Sequence, residues 1–175
     1  VIELNDFQEL LDVRDNLKLS DYYETDTHWR QPCLHDIVKE MSSVMGFNYY
    51  DVSYEENIYN DFYGVYYGEA AINREAETLI YLKSSILDEV EVKYLENSYL
   101  TEIYNEEKLS GLDSYDVYLD GASSFIEITN KNVNSGELIV FRDSFGSSLI
   151  PLLVPYYSKI TVIDNRYISS DYFKG

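Results

Sequence analysis

Residues 137–163 read ELIVFRDSFGSSLIPLLVPYYSKITVI, and the reading of this stretch decides the fold. Glu137 to Phe141 carries a continuous apolar run from Leu138 on, as expected of a strand buried on both faces of a parallel sheet. Residues 147–157 follow with a dense apolar set, Leu149, Ile150, Leu152, Leu153 and Val154, and predict a helix. Residues 159–163, KITVI, are a second strand. Strand, helix and strand in so short a span make a tight βαβ unit. The fold class is therefore α/β, with parallel strands ending at Ser144 and at Asp164.

Working outward, residues 33–45 give the clearest helix. Cys33, Leu34, Ile37, Val38, Met41, Val44 and Met45 keep helical spacing, Pro32 sits in the first turn and Gly46 supplies the stop. A short amphipathic helix is expected over 5–15 and an extended segment over 19–29. Residues 57–74 read as an irregular aromatic loop. Further strands are expected over 77–83, 90–95, 116–120 and 124–129, the last two joined by a turn at Gly121, Ala122 and Ser123. No repeat or linker interrupts the chain, so residues 1–175 read as one domain.

Net charge is −19. Such a surface repels phosphate backbones, so nucleic acid is not an expected partner. No stretch approaches the ~18 apolar residues of a membrane span. The single cysteine, Cys33, excludes an internal disulfide and reads as a small core residue. Tyrosine is the outlier, with 19 copies. Several are paired: Tyr22–Tyr23, Tyr49–Tyr50, Tyr66–Tyr67 and Tyr156–Tyr157. An apolar face with a polar tip suits both sugar binding and half-buried strand positions.

Ser144 lies between the apolar strand and the helix. The carboxyl end of a strand is where open α/β sheets place their sites. The following helix start aims unpaired N–H groups and partial positive charge at the same spot, where an oxyanion would be stabilised. Gly146 lets a ligand approach the backbone. The competing reading is that Ser144 or Asp143 caps the helix.

A serine nucleophile needs a base. His35 flanks the apolar stripe of the 33–45 helix and reads as a surface or partly packed residue. His28 sits in Tyr23-Glu-Thr-Asp-Thr-His-Trp29. In an extended segment residues two apart share a side, so Asp26 would hold one ring nitrogen of His28 and leave the other free for a proton. Trp29 would then point to the opposite face. Metal binding would need a third ligand from Asp21, Glu24 or His35, and no spacing matches a metal motif. No metal and no cofactor are expected.

These islands resemble the DHHW family, relatives of the SGNH-like alginate O-acetyltransferases. Tyr22-Tyr23-Glu24-Thr25-Asp26-Thr27-His28-Trp29 resembles the family's Thr-Asp-His-His-Trp signature, with Thr27 in place of the middle histidine. Asp61-Phe62-Tyr63-Gly64 resembles its Asp-Phe-Tyr-Gly loop. Leu138 to Phe145, Pro151 to Tyr157 and Val162 to Tyr167 resemble its later elements. The resemblance implies a three-layer SGNH-hydrolase-like sandwich with a mainly parallel central sheet, truncated relative to proteins that begin well upstream with a membrane anchor. It implies a catalytic triad of Ser144 as nucleophile, His28 as base and Asp26 as orienting acid. The second oxyanion donor would come from the Gly121 loop. Tyr22, Tyr63, Arg142 and Asp143 are pocket candidates, with Arg142 facing an acid, a substrate oxygen or, more blandly, a surface ion pair.

The function so implied is an O-acetyltransferase or acetylesterase on extracellular polysaccharide, with carbohydrate or acetylated glycan as partner and an extracytoplasmic or cell-surface location. The alternative is a glycan-binding or envelope-complex module with a vestigial site.

Overall fold

The computed structural model describes residues 11–70, 73–95, 100–134 and 136–167. Its main sheet is built from β3 (Glu91–Tyr94), β4 (Leu100–Thr101), β5 (Phe125–Thr129), β6 (Glu137–Phe141) and β7 (Lys159–Ile163), in the order β4-β3-β5-β7-β6. A separate antiparallel pair joins β1 (Glu55–Phe62) to β2 (Glu77–Lys83). The helices are α1 (His35–Met45), α2 (Tyr66–Ala70), α3 (Ser85–Asp88) and α4 (Phe145–Leu153).

The β6-α4-β7 unit forms where the sequence placed it, with β6 and β7 parallel in the register Glu137 to Lys159. The rest of the sheet is antiparallel: β4 on β3, β3 on β5, and β5 on β7. The sheet is therefore mixed, which corrects the expectation of a mainly parallel one. A parallel pair needs a long crossover, usually helical, and β6-α4-β7 is the one described pair joined that way.

β6 also differs from its reading as a doubly buried strand. It lies at the sheet edge, with Ile139 63% and Phe141 64% exposed while Leu138 and Val140 pack inward. The core lies on one face of the sheet. Val92, Tyr94, Ile126, Ile128, Ile160 and Val162 alternate inward and meet Ile150, Leu152 and Leu153 of α4. Helix α1 buries Ile37 and Val38 beside α4 and ends at Gly46, whose φ of 74° is the left-handed stop.

Four other expectations change. Of the helix expected over 5–15, residues 5–10 lie outside the described residues, and 11–15 run into a turn closed by Asn16 N–H on the Val13 carbonyl. The aromatic loop expected over 57–74 contains β1 and α2; β1 lacks clean alternation because Phe62 alone is fully buried. The strand expected over 116–120 is a 3₁₀ turn, Ser114–Val117, followed by Leu119, Asp120 and Gly121, all with positive φ (52°, 56° and 73°). No hairpin forms there, because three left-handed residues in a row cannot hold a pleat.

The segment expected to be extended over 19–29 opens with a 3₁₀ turn, Leu19–Asp21. It then folds back on itself, with Tyr22 bridging Trp29.

Candidate active site

The fold-back of residues 22–29 is closed by backbone bonds from Tyr23 N–H to the His28 carbonyl (3.1 Å) and from Arg30 N–H to the Asp21 carbonyl (2.7 Å). At its tip Asp26 is 4% exposed and His28 is 6% exposed. Asp26 Oδ1 accepts the His28 backbone N–H at 3.0 Å and meets His28 Nδ1 at 2.5 Å. The two side chains therefore meet, but not by strand alternation. The aspartate turns back on the amide two residues ahead, as Asp side chains do in tight turns, and this delivers the imidazole to the same oxygen. Nδ1 is fixed toward the carboxylate and Nε2 is the nitrogen left to carry chemistry.

Other elements hold the loop. Asp26 Oδ2 accepts Val65 N–H at 3.0 Å, and Thr25 Oγ1 accepts Gly64 N–H at 3.0 Å. Gly64 lies so close that an added Cβ would stand 2.3 Å from the Thr25 carbonyl oxygen and 2.4 Å from Asp26 Cβ. This is the physical use of the Asp-Phe-Tyr-Gly stretch. Glu77, at the start of β2, receives the N–H groups of Glu24 (2.9 Å) and Thr25 (2.8 Å), the Thr25 hydroxyl (2.6 Å) and the Arg30 guanidinium (2.7 Å). Burial pushes both carboxyls up, but the hydrogen bonds they accept, and for Glu77 also the Arg30 guanidinium, outweigh it. Asp26 and Glu77 both sit below the usual carboxylate range.

The His28 ring is held between aromatic rings. Tyr115 stacks on it, with centroids 3.9 Å apart and planes at 10°, and Phe145 leans on it at 5.0 Å. The Tyr115 hydroxyl lies 2.7 Å from Ser148 Oγ, which also accepts the Trp29 indole N–H at 3.0 Å. Trp29 meets Phe145 edge-on at 5.2 Å, so it packs against the same ring as His28 instead of on an opposite face.

Ser144 immediately precedes α4. Asp143 takes the capping role, accepting the Phe145 N–H at 3.0 Å, while the Ser144 side chain makes no capping bond. Among the described residues, His28 Nε2 is buried with no partner, so the Ser144–His28 hydrogen bond is not made in this structure. Phe145, the residue after the serine, is the point of contact with the imidazole.

The pocket candidates divide. Gly121 N–H is taken by the Tyr118 carbonyl, and its own carbonyl accepts Arg142 Nη2 at 2.8 Å. Its φ of 73° favours glycine, and an added Cβ would also stand 2.2 Å from Asp116 Oδ1. Arg142 is 8% exposed and bonds Gly121 and Ser147 Oγ; among the described residues no ion pair engages it. It ties the Gly121 turn to α4 from inside the protein. Gly146 gives its space to the Arg142 side chain, 2.8 Å from where a Cβ would be, and not to a ligand. Tyr22 is half-buried, and Tyr63 is exposed with its ring against Tyr67 at 4.6 Å. Neither ring contacts His28 among the described residues. His35 lies on α1 beside Tyr54, away from this site.

Sequence reasoning missed Glu77, Tyr115 and Ser148. They approach the base from β2, the 114–117 turn and α4, and no local spacing marks them. Among the described residues no cluster of His, Cys, Asp or Glu has the arrangement to hold a metal ion.

The family model described as DHHW protein matches residues 7–163. The structure is similar to a DHHW family protein from Eubacterium siraeum, with a TM-score of 0.73 and 21% identity over 88% of this chain and 55% of that one. It is also similar to Bacillus cereus PatB1 solved with a sulfonyl adduct, with a TM-score of 0.64 and 20% identity over 84% of this chain and 52% of that one. A second PatB1 structure gives a TM-score of 0.62 and 16% identity over 88% and 58%. The chain thus spans just over half the length of these relatives. No curated protein matches it.

Proposed function

The chain belongs to the DHHW family, and from that premise we propose that it is a serine-dependent acyl-ester enzyme, an O-acetyltransferase or acetylesterase acting on extracellular polysaccharide. The observation that carries this reading is the buried Asp26–His28 pair with a partnerless Nε2, set against the residue that follows Ser144. Catalytic hydrogen bonds are often loose without substrate and tighten in the complex. The reading requires the Ser144 hydroxyl to come within hydrogen-bond reach of His28 Nε2 in the complex. The fold likeness to PatB1 supports an SGNH-like three-layer arrangement.

In this reading Ser144 Oγ attacks the acyl carbonyl as His28 Nε2 takes its proton. Asp26 holds the ring and stabilises the charge that forms on it. The alkoxide of the first sugar leaves with that proton, and the acyl group stays on Ser144. A sugar hydroxyl or water, deprotonated by His28, then takes the acyl group and frees the serine. The Ser144 N–H, which has no partner among the described residues, is one oxyanion donor. A second donor from the Gly121 loop belongs to the same proposal, and it is not Gly121 N–H, which the Tyr118 carbonyl already takes.

The site is tested with a sulfonyl fluoride, chosen because PatB1 has been solved with a sulfonyl adduct and because activated serine hydroxyls form such adducts. Mass spectrometry is expected to find one adduct, on Ser144, absent from Ser144→Ala and strongly slowed in His28→Ala. Release of nitrophenol from p-nitrophenyl acetate should fall in parallel. Equal labelling of all three proteins would instead favour a glycan-binding or envelope-complex module with a vestigial site. The unmade Ser144–His28 bond is the observation in favour of that second reading. An extracytoplasmic, cell-surface location belongs to the same proposal. Among the described residues no helix is long and apolar enough to cross a membrane.

A further inference from the structure

Gln31 is a polar side chain that the core encloses completely. It stands three residues after the base, and its amide is used at both ends. Oε1 accepts the Leu82 N–H at 2.8 Å, while Nε2 donates to the Ser148 carbonyl at 2.8 Å and to the Tyr104 hydroxyl at 3.1 Å. The Tyr104 hydroxyl in turn donates to the Leu82 carbonyl at 2.7 Å. Gln31 and Tyr104 therefore occupy the N–H and C=O of Leu82 as a neighbouring strand would, and tie the base loop to β2.

Ser148 is the other seat of this joint, and it too is fully buried. Its carbonyl takes Gln31, and its hydroxyl accepts from Trp29 and Tyr115. A hydroxyl has two lone pairs, and both are in use. Alanine would fit the same space with a better helix propensity, so burial on α4 does not by itself call for a serine here. Trp29 and Gln31 thus grip one residue in the turn of α4 that follows Ser144. At ~1.5 Å of rise per residue, Ser148 stands on the order of 6 Å along the axis from the nucleophile.

We propose that the Gln31–Ser148 joint positions the base, fixing how far His28 stands from Ser144. The proposal rests on the serine reading and names the buried contact that aligns its two halves. Gln31 acts through the loop and through α4, so it is a positioning residue and not a catalytic one. Losing the Tyr115 hydroxyl leaves the joint standing, because it removes a donor. Ser148→Ala instead strands two buried donors, the Trp29 N–H and the Tyr115 O–H.

The test reads the imidazole directly. Protons held over the face of a stacked ring resonate upfield, and His28 lies stacked on Tyr115. The chain has two histidines, His28 and His35, and His35→Gln tells their signals apart. Gln31→Met keeps the size and removes both polar ends. It should move the His28 ring signals downfield, toward those of a free histidine. It should also slow sulfonylation of Ser144 by about tenfold or more, with KM for p-nitrophenyl acetate little changed. Ser148→Ala should do the same, and decides the matter if Gln31→Met does not fold. Ile150→Val, a core change on the same helix, should leave both readouts at their wild-type values. The proposal is overturned if the His28 signals stay in place in the two joint variants, or if Ile150→Val moves them equally. It is equally overturned if they move while sulfonylation keeps its rate. A wild type that takes no label counts against the serine reading alone, and the His28 signals then decide the joint.

Discussion

Asp26 and His28 are two residues apart, and their contact needs only the turn between them. What the turn does not supply is the plane of the imidazole. Tyr115 supplies that, stacked at 3.9 Å, with its hydroxyl anchored at Ser148. If the stack positions the base, Tyr115→Phe should keep most of the ester turnover, while Tyr115→Leu should lose about tenfold or more, a misplacement effect. Urea unfolding of both variants separates this from a general loss of stability. Asp116 tests a different balance. Burial and the neighbouring Asp113 push its carboxyl up to about 6, against the pull of Lys108. A carboxyl raised in the folded state holds its proton more tightly there than in the unfolded chain, so it costs stability once pH exceeds the unfolded value of about 4. Asp116→Asn is therefore expected to raise Tm at pH near 7, and to leave it nearly unchanged at pH near 4. A thermal scan at the two pH values checks the sign.

At the scale of elements, the junction between β1 and α2 is as much part of the site as the loop it touches. Gly64 admits the Thr25–Asp26 backbone where no side chain fits. Both colliding atoms belong to backbone or to Cβ, so neither can rotate away. Gly64→Ala is expected to cost about 1–3 kcal/mol in urea unfolding and to lower ester turnover further, because Asp26 must shift. Equal stability and turnover would show that the loop gives way. The β6-α4-β7 unit was readable from 137–163 because apolar runs and turn residues are local signals. That β6 is an edge strand was not readable, because an unbroken apolar run reads the same at an edge or at a centre. Likewise Asp113 to Ser124 carries strand-like residues such as Val117 and Tyr118, yet forms a 3₁₀ and left-handed turn. Arg142 and the Ile103 carbonyl hold it from outside the segment.

For the whole molecule, a net charge of −19 on 175 residues means that like charges crowd the surface of the folded state. The ion pairs present, such as Arg30–Glu77 and Lys159–Glu127, engage only some of the acids. Added salt screens the remaining repulsion over a Debye length of ~10 Å at 0.1 M. Tm is therefore expected to rise as sodium chloride goes from about 20 mM to about 300 mM. A fall would mean that the few ion pairs outweigh the repulsion. By itself the sequence determined the α/β class, the β6-α4-β7 unit, the α1 helix with its Gly46 stop, and the pairing of Asp26 with His28. Each rests on residues close in the chain, where periodicity and turn chemistry act. Only the tertiary structure decided the mixed sheet, the aromatic rings around the base, the Glu77 and Gly64 supports, and the use of Arg142 as an internal tie. Those are contacts between segments tens of residues apart, set by packing density and buried hydrogen bonding, and no local pattern encodes which partner will arrive.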